Sequence, residues 1–374
     1  MISFRISSLT SMAVEKARGG RRFPFWLRRP LLVAKGMRVN RKAPDLERLE
    51  GIVDPEEFIW AVLPYAARSF AASILLLPEE AARTCAVAYL YARMLDTYED
   101  LSPSPAEAQR SLEAFAARFL SDPLTPAIDS PPSGPVASSD KASLLLLRRH
   151  DLVDRVFLGL TGDDRERIVQ LIERMSSGMV DYSRVFHRQG GVLDDSDQVA
   201  EYCHRVIGFP VLFVLETLFG EVSADHRRHA LKVSELIQLA NITRDVEKDL
   251  QFGVAYHPRL RPHLGSDGRG AAQSAVLQAR KDLLVMATRR AASFRYLLNE
   301  HALPSFSLAR PAAVVMMLFT DRHYRRVAVS VGLTDWRGPR SLVSVFMTSL
   351  PALWSARWAE RVLRRAEEGL LTVS

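Results

Sequence analysis

The sequence of 374 residues predicts an all-α fold. Apolar residues recur at helical spacing through most of the chain, and long stretches of strand-like alternation are missing. Helix-start signals, prolines and glycines divide this pattern into segments with short breaks between them. Since 48% of the residues are hydrophobic, a chain of this length can bury a sizeable core, in one large domain or two modest ones.

Two helix-start signals open the first half of the chain. Asp54-Pro55-Glu56-Glu57 combines an N-cap Asp, a proline at the first helical position and a Glu at the capping-box position. Pro78-Glu79-Glu80 places acids in a first turn, where the helix dipole favours them. This second helix is expected to run to Asp100 and to end in the proline-containing segment 101–105. Residues 121–140 are rich in Pro and Ser, which predicts a surface loop.

The second half of the chain is predicted to be helical with short interruptions. The predicted helices are a pair covering 141–182 and split at 161–163, then 197–219, 223–252, 271–300, 307–331 and 340–369, with a loop over 253–270.

No apolar run reaches the roughly 18 uncharged residues expected of a membrane span. The nearest is 341–356, which Pro351 interrupts. Its two interpretations are a buried core helix and a monotopic membrane contact. Residues 336–374 are therefore predicted to be C-terminal helices that are candidates for contact with a membrane.

Charge is unevenly distributed along the chain. Residues 1–42 hold eleven Lys or Arg and one acid, Glu15, for a net charge of +10, whereas the remainder has a net charge of −3. The body therefore lacks the basic stripe of a nucleic-acid-binding domain, and no nucleic-acid partner is expected. Residues 1–45 are predicted to be a flexible basic arm. The alternatives are a membrane-surface arm, a targeting segment or an over-extended start.

The two cysteines, Cys85 and Cys203, lie in apolar, helix-like contexts. A disulfide framework is not expected, and no Cys/His zinc pattern occurs. The sequence thus favours a reducing compartment, and we expect a cytoplasmic monomer with peripheral contact to a membrane surface.

A row of oxygen-bearing side chains is the first candidate site. Asn241, Asp245 and Asp249 are spaced four residues apart, which places them on one face of a helix, with Arg244 at its border. The row follows the apolar run 236–240, where carboxylates are costly unless a cation neutralises them. Oxygen ligands of this kind suit hard divalent cations, above all Mg²⁺.

A second row lies upstream, in Asp96-Thr-Tyr-Glu99-Asp100. It falls at the C-terminal end of its predicted helix, where the dipole disfavours carboxylates and a cation would remove the conflict. A solvated helix face is the alternative for any single pair of acids. Two rows together favour a metal cluster between two helices, suited to binding and ionising a diphosphate.

Five motifs in order resemble those of the squalene/phytoene synthase family, the head-to-head branch of the isoprenoid synthases, over roughly residues 54–325. They are Ala67-Arg68-Ser69-Phe70, Arg93-Met-Leu-Asp96-Thr-Tyr-Glu99-Asp100, Met175-Ser-Ser-Gly178-Met179, Tyr202-Cys-His-Arg-Val-Ile-Gly208 and Asn241-Ile-Thr-Arg244-Asp245 with Asp249. The resemblance implies a single-domain isoprenoid-synthase helical bundle over residues 46–335, with a central apolar cavity.

The resemblance also implies a role for each matching residue. The implied Mg²⁺ ligands are Asp96, Glu99, Asp100, Asn241, Asp245 and Asp249. The implied diphosphate-binding residues are Arg68, Arg93 and Arg244, and Ser69 and Phe70 would line the substrate pocket. Tyr202 would stand beside the reacting carbons and act in catalysis together with Asp96 and Asp245.

The implied activity is head-to-head condensation of two prenyl diphosphates, through a cyclopropylcarbinyl diphosphate, to a squalene- or phytoene-type hydrocarbon. Tyr202-Cys-His resembles squalene synthases, which favours farnesyl diphosphate as the substrate. If the product is squalene, NADPH is the expected reductant.

Two departures from the family pattern keep a second hypothesis open. Val254 stands where the family has an Arg, with Arg259 as a candidate replacement, and Lys248 stands where it has a Glu. They favour the alternative of a non-catalytic scaffold protein with the same fold. A terpene cyclase or chain-elongating enzyme is disfavoured, because the first motif lacks the paired Asp-Asp of those classes.

Overall fold

The computed structural model describes residues 29, 32, 33, 44–67, 69–121, 124, 140–301, 303–336 and 342–372; the side chains of Ser69 and Leu342 are not described. The helices are α1 (Leu46–Glu50), α2 (Pro55–Ala67), α3 (Ser69–Leu75), α4 (Glu79–Leu101), α5 (Pro105–Ala117), α6 (Lys141–Arg148), α7 (His150–Leu158), α8 (Gly162–Arg188), α9 (Ser196–Cys203), α10 (Phe209–Phe219), α11 (Ala224–Gln251), α12 (Gln273–Thr288), α13 (Ala291–Glu300), α14 (Ala309–Ser330), α15 (Leu342–Ser349) and α16 (Ala356–Leu371). Short 3₁₀ turns lie at Arg118–Leu120, Pro258–His263, Gly270–Ala272 and Leu350–Leu353. The all-α prediction is confirmed: these residues contain no strand, only one isolated bridge between Val192 and Ala255.

The predicted helix starts are confirmed by their caps. The Asp54 carboxylate accepts a hydrogen bond from the amide of Glu57 at 2.7 Å. Ser223 accepts from His226 and so fixes the start of α11, one residue after the predicted position. These side chains satisfy amides that have no partner inside the helix, which is why they mark the starts so reliably.

Several predicted helices are divided in the structure. Residues 141–182 were expected to form two helices, but they contribute to α6, α7 and α8. The expected helix 197–219 is α9 and α10, joined by a π-helical turn over His204–Gly208. The expected helix over 340–369 is α15 and α16, separated by a 3₁₀ turn that contains Pro351. The predicted loop over 121–140 lies mostly outside the described residues, as does the basic arm.

The hydrophobic core of the described residues has two large clusters and a small third one around Val192, Val246 and Leu250. An N-terminal cluster is built from buried residues between Leu49 and Val180, together with Phe213 and Ala312. A C-terminal cluster is built from residues between Tyr182 and Leu370. Phe70 is half-buried and packs against both clusters, so it marks the junction between them. α4 belongs to the first part and α11 to the second, while α10 packs against both of these helices.

One helical stretch in the described part of the chain, Ser196–Phe219, is long and apolar enough to cross a membrane. No membrane-spanning helix is predicted from the sequence, because that prediction rests on uncharged runs and this stretch contains Glu201 and Arg205. Leu212 and Phe213 in the same stretch are buried, and α10 packs against α4, α8 and α11. The stretch therefore forms part of the helical bundle in this structure.

The bridge between Val192 and Ala255 ties two loops together through a close backbone approach. Ala255 donates its amide to the carbonyl of Gly191 at 2.8 Å, and Leu193 donates to the carbonyl of Ala255 at 3.1 Å. Gly191 has φ +87°, and a Cβ there would lie 2.1 Å from the carbonyl oxygen of Gly253. Only glycine fits both the conformation and the space.

Replacing Gly191 with Ala is therefore expected to lower the free energy of unfolding by at least about 2 kcal/mol, because backbone must move to admit the methyl group. Chemical denaturation measures the change. The matched control is Gly190→Ala: φ there is +64°, but no atom lies closer than 3.9 Å to the added Cβ. Equal losses in the two variants would show that conformation alone, and not the close approach, requires glycine.

Candidate functional site

The two predicted rows of polar side chains lie close together in the structure. The α4 row is Asp96, Glu99 and Asp100, and the α11 row is Asn241, Asp245 and Asp249. Burial raises the pKa of Asp100, and the negative charge of Asp245 raises it further. Burial also raises the pKa of Asp249, and the negative charge of Asp100 contributes to that increase. Because charges near a protein surface interact over only about 10 Å, the two rows lie near each other, and we call the region between them the cleft.

The carboxylates of this cleft resist ionisation. Burial, reinforced by neighbouring acids, raises the pKa of Asp96 to about 6, that of Glu99 to about 8 and that of Asp249 to about 7. Such crowding of like charge is unfavourable unless a cation enters or protons remain. Every donor in the two rows is an oxygen atom, so the set fits a hard divalent cation such as Mg²⁺.

Side chains alone do not complete a metal site. Within the ranges that the structure describes, no three His, Cys, Asp or Glu side chains are grouped closely enough to hold one ion. The rows belong to different helices, and their like charges oppose closer approach. A metal cluster in this cleft, with all six predicted ligands, stays a prediction.

Three cationic side chains border the rows. Arg93 Nη1 lies 3.6 Å from Asp96 Oδ2, while Arg93 Nε donates to Ser143 at 3.2 Å. Arg244 makes a fork with Asp245, at 2.9 and 2.6 Å. The charge of Lys248 acts against burial and lowers the pKa of both Asp100 and Asp249, and its ammonium lies 5.9 Å from the ring of Phe252. The positive charge thus surrounds the place where an anionic group would bind.

An aromatic wall adjoins the cleft. Tyr256 donates its hydroxyl to that of Tyr202 at 3.2 Å, and the centroids of the two rings are 5.1 Å apart. Tyr182 and Phe186 meet the ring of Tyr202 edge-on at 5.2 and 6.0 Å. Burial raises the pKa of Tyr202 well above its usual value, with smaller contributions from Tyr256 and Glu99, so the phenol is neutral at pH 7.

Tyr256 is a site residue that the sequence analysis missed. Burial raises its pKa, and the charges of Asp249 and Glu99 add to this effect, which places its ring beside both rows. The sequence contained a signal for this role, because the family has an aromatic residue at the position of Tyr256, shortly after the second row. The bridge from Ala255 to Val192 fixes this segment next to the end of α8.

The predicted substrate-pocket residues are only partly described. Phe70 is half-buried, and its ring lies 5.8 Å from that of Tyr89 on α4. Ser69 begins α3, but its side chain lies outside the described residues, as does all of Arg68. The predicted roles of Arg68 and Ser69 stay predictions.

The two departures from the family pattern now have structural contexts. Glu247 is displaced by one position from the family's Glu. It pairs with Arg280, so the role of this acid is explained by an ion pair and not by a contact in the cleft. This pair lines a separate cavity of about 700 Å³ on the other side of α11. Arg259 lies beside His257, whose pKa its charge helps to lower after the larger effect of burial. Arg259 therefore gains no support as the replacement for the missing Arg at Val254.

The raised carboxylate pKa values predict how stability depends on pH. At these three carboxylates the folded state binds more protons than the unfolded state between about pH 4 and pH 8, so they stabilise the fold at low pH and lose that contribution as pH rises. Burial lowers the pKa of His323 to about 4, which has the opposite effect up to about pH 6.5, so we expect the melting temperature of the metal-free protein to fall between about pH 6.5 and pH 8. Differential scanning fluorimetry with EDTA tests it.

A matched variant isolates the contribution of the cleft to this pH dependence. Glu99→Gln removes the acid with the pKa of about 8, so the fall above pH 7 should shrink. A melting temperature that rises between about pH 6.5 and pH 8, or an unchanged fall in the variant, would contradict the assignment.

Comparison with known proteins gives a family match over most of the chain. A family model described as squalene/phytoene synthase matches residues 63–333. Squalene synthase BSS from Botryococcus braunii is 29% identical over 198 residues, which are 52% of this chain and 40% of that protein. Squalene synthase from Yarrowia lipolytica is 26% identical over 214 residues, 54% of this chain and 44% of that protein. The matches thus span less than half the length of these curated relatives.

Solved structures share the fold. A ligand complex of TcSQS covers 86% of this chain and 99% of its own, with a TM-score of 0.63 and 20% sequence identity. A second ligand complex of TcSQS gives a TM-score of 0.60 at 18% identity. At such identities the likeness shows the fold alone, and it confirms the isoprenoid-synthase helical bundle.

Proposed function

The chain belongs to the squalene/phytoene synthase family, and on that premise we propose that it joins two prenyl diphosphates head to head. The observation that carries the proposal is that an arginine engages an acid of each row: Arg93 lies 3.6 Å from Asp96 on α4, and Arg244 makes a fork with Asp245 on α11. Two rows that are remote in sequence form one acidic cleft with arginines at its border and aromatic rings beside it. This arrangement suits a substrate with an anionic head and an apolar, cation-forming tail.

We propose that the two rows hold Mg²⁺ through their carboxylate and amide oxygens. Asn241 donates its amide nitrogen to Gln238 at 3.0 Å, which leaves the amide oxygen as the atom for a cation. Mg²⁺ bound there would neutralise the diphosphate and make its departure easier. Arg93 and Arg244 would bind diphosphate oxygens, because a guanidinium is a planar, permanently charged fork.

The proposed reaction begins with loss of diphosphate from one substrate, which leaves an allylic cation. The double bond of the second prenyl diphosphate attacks this cation, and loss of a proton closes the ring of a cyclopropylcarbinyl diphosphate. A second loss of diphosphate and a rearrangement give a new cation. Hydride from NADPH then yields a squalene-type product, or loss of a proton yields a phytoene-type product.

Tyr202 and Tyr256 would serve the cationic steps. Their rings present electron-rich faces to a carbocation, and the raised pKa keeps each phenol neutral and unreactive towards it. Tyr182 and Phe186 pack around them, so the wall excludes water that would trap the cation as an alcohol. We propose farnesyl diphosphate as the substrate, because Tyr202 opens a squalene-synthase-like segment.

Product analysis tests the proposal. The protein is incubated with farnesyl or geranylgeranyl diphosphate and Mg²⁺, with and without NADPH, and the extract is analysed by mass spectrometry. Squalene only with NADPH would identify a squalene synthase. Dehydrosqualene, phytoene or a cyclopropyl diphosphate would identify the other outcomes of the same chemistry. No turnover of either substrate would contradict the proposal and favour the non-catalytic alternative.

Lys248 is the observation that favours this alternative, because its positive charge acts on an acid of each row. Restoring the family residue by Lys248→Glu removes that charge and adds a ligand. We expect the Mg²⁺ concentration needed for half-maximal thermal stabilisation to fall by roughly tenfold. Lys232→Glu, at a half-buried position in the first half of α11, is the control for a general change of charge. An equal effect in both variants would contradict a local role for Lys248.

We also propose a cytoplasmic location and a monomeric state. Cys85 and Cys203 are free and buried, which suits a reducing compartment. Size-exclusion chromatography with light scattering measures the oligomeric state directly.

A further inference from the structure

A buried carboxylate outside the cleft is held by two partners. The side chain of Glu235 on α11 is only 6% exposed. One of its oxygens lies 3.1 Å from His204 Nε2, and the other accepts a hydrogen bond from Arg290 Nε at 2.6 Å. Burial acts to raise the pKa of Glu235, but these two hydrogen bonds outweigh it and hold the pKa below its usual value. The group is therefore ionised at pH 7, and since a carboxylate only accepts, His204 Nε2 is the donor.

This network of His204, Glu235 and Arg290 fixes the π-helical turn on α11. His204 is the first residue of the turn, and Arg290 lies in the short connection between α12 and α13. The last residue of the turn is also fixed, because a Cβ on Gly208 would lie 2.9 Å from Leu231 Cδ2. Leu231 and Glu235 are four residues apart, so both contacts use one face of α11. The turn is thus attached to α11 at its first and its last residue.

The turn directly follows the end of α9, which carries Tyr202. Tyr202 and His204 are two residues apart, about 200° around a helix, so their side chains leave it on opposite sides. The Tyr202 ring meets that of Tyr182, whereas His204 contacts α11. Between them, Cys203 is completely buried in the C-terminal cluster. Fixing His204 on α11 therefore fixes the rotation of this helix end, and with it the direction of the Tyr202 ring.

The geometry of the turn makes this direction sensitive to the network. A π-helical turn is rare, and such turns are frequent at functional sites. Its i→i+5 hydrogen bonds compete with the i→i+4 bonds of an α-helix, so tertiary contacts decide which pattern forms. Loss of the contact between His204 and Glu235 would favour α-helical bonding, which rotates the residues before the turn relative to those after it. The hydroxyl of Tyr202, now 3.2 Å from that of Tyr256, would then leave its place beside the cleft.

We infer that His204, Glu235 and Arg290 are positioning residues that aim the ring of Tyr202 at the cleft. The inference rests on the proposed function, in which Tyr202 faces a carbocation. Because the network acts through this ring and not on the diphosphate groups, its loss should lower turnover and leave the KM for prenyl diphosphate nearly unchanged. A misdirected ring would also admit water to the cation, so part of the product should appear as an alcohol.

The experiment alters the network at His204, because replacing Glu235 would leave the Arg290 cation without its partner. For His204→Leu, which removes the donor, we expect turnover to fall roughly ten- to a hundredfold and KM to change less than about twofold. His204→Gln keeps a donor on a side chain of similar reach, so it should retain most of the turnover and form little alcohol. In a Tyr202→Leu background, His204→Leu should cause no further loss, because its effect passes through the ring.

A second measurement needs no substrate. The chain is labelled with fluorinated tyrosine, and the fluorine resonance of Tyr202 is assigned by its absence in Tyr202→Phe. This resonance should move in His204→Leu and keep its position in His204→Gln. The matched control is Arg295→Leu, which breaks a 2.8 Å pair with Glu367 between α13 and α16 whose exposure is similar to that of the pair of Arg290 and Glu235. It should change neither the resonance nor the turnover.

An unmoved fluorine resonance in His204→Leu would overturn the inference, whatever the activity of the chain. Equal losses of turnover in His204→Leu and His204→Gln, or a loss that persists in the Tyr202→Leu background, would also contradict it. If circular dichroism shows that His204→Leu is unfolded, the network serves the fold and the inference is wrong. An inactive parent chain would instead contradict the proposed function, and the fluorine resonance alone would then decide whether the network positions Tyr202.

Discussion

Replacing Asp245 with Asn is expected to reduce turnover of prenyl diphosphate by roughly 10²–10³-fold while the protein remains folded. The substitution keeps the size of the side chain but removes the negative charge that would hold Mg²⁺ and that now pairs with Arg244. Because both partners are partly exposed, little stability depends on the pair. Steady-state kinetics with labelled substrate measures the loss, and circular dichroism measures the helicity.

A matched control for this variant lies on the same helix. Asp225→Asn changes an exposed acid in the first turn of α11, where it pairs with Arg228 at 3.1 Å, far along the helix from the cleft. Its turnover should equal that of the parent. If Asp245→Asn retained full activity, or if it unfolded while Asp225→Asn did not, Asp245 would have a structural role and the proposed site would be wrong.

Replacing Arg118 with Leu is expected to lower the free energy of unfolding by about 3–5 kcal/mol. The Arg118 side chain is 1% exposed and pairs with Asp154, whose side chain is 13% exposed. Arg118 also lies over the rings of Phe115 and Phe119, at 5.3 and 5.4 Å. Tyr91 donates its hydroxyl to the same Asp154 carboxylate at 2.7 Å. Removing the cation therefore leaves the Asp154 carboxylate in an apolar cluster with the Tyr91 hydroxyl and, at 4.0 Å, His150 Nε2.

Chemical denaturation of a variant series tests the origin of this loss. The triple variant Arg118→Met, Asp154→Leu, Tyr91→Phe removes the ion pair and the hydroxyl that donates to it, and it should return to within about 2 kcal/mol of the parent. Arg110→Leu is the matched control, since Arg110 is 72% exposed in a 3.7 Å pair with Glu107, and it should change stability by less than about 0.5 kcal/mol. A triple variant as unstable as the single one would mean that packing around Arg118, and not its charge, carries the stability.

The sequence was sufficient wherever local chemistry decides the structure. Helix α11 was predicted over 223–252 and is Ala224–Gln251, because its cap Ser223 and the glycine after its end, Gly253, are local signals. The two rows of the site followed from helical spacing alone, since residues four apart share a face in any α-helix. Their proximity to each other needed the resemblance to a family, because no local rule connects Asp100 to Asp249.

Features set by tertiary contacts could not be predicted. The π-helical turn His204–Gly208 interrupts a segment whose apolar pattern is continuous, and packing against α11 accompanies it. Burial of Arg310 has no sequence signature, because its acceptors are carbonyls supplied by 303–305 and 352–353. The distance between the two rows likewise depends on how α4 and α11 pack against α10. In the described residues this packing brings no three acidic side chains close enough to hold one ion.

The division of the core has a consequence for how the chain is made. Apart from Phe213 and Ala312, the N-terminal cluster is drawn from residues that leave the ribosome before Tyr182, and the C-terminal cluster from residues that follow. The first half can therefore bury its own apolar side chains during synthesis, whereas the cleft forms only after α11 has been synthesised. A ligand that binds to both rows connects the two halves of the chain. It raises the free energy of unfolding by an amount that grows with the ligand concentration. The supply of substrate and the lifetime of the folded protein are therefore linked through the cleft between the two rows.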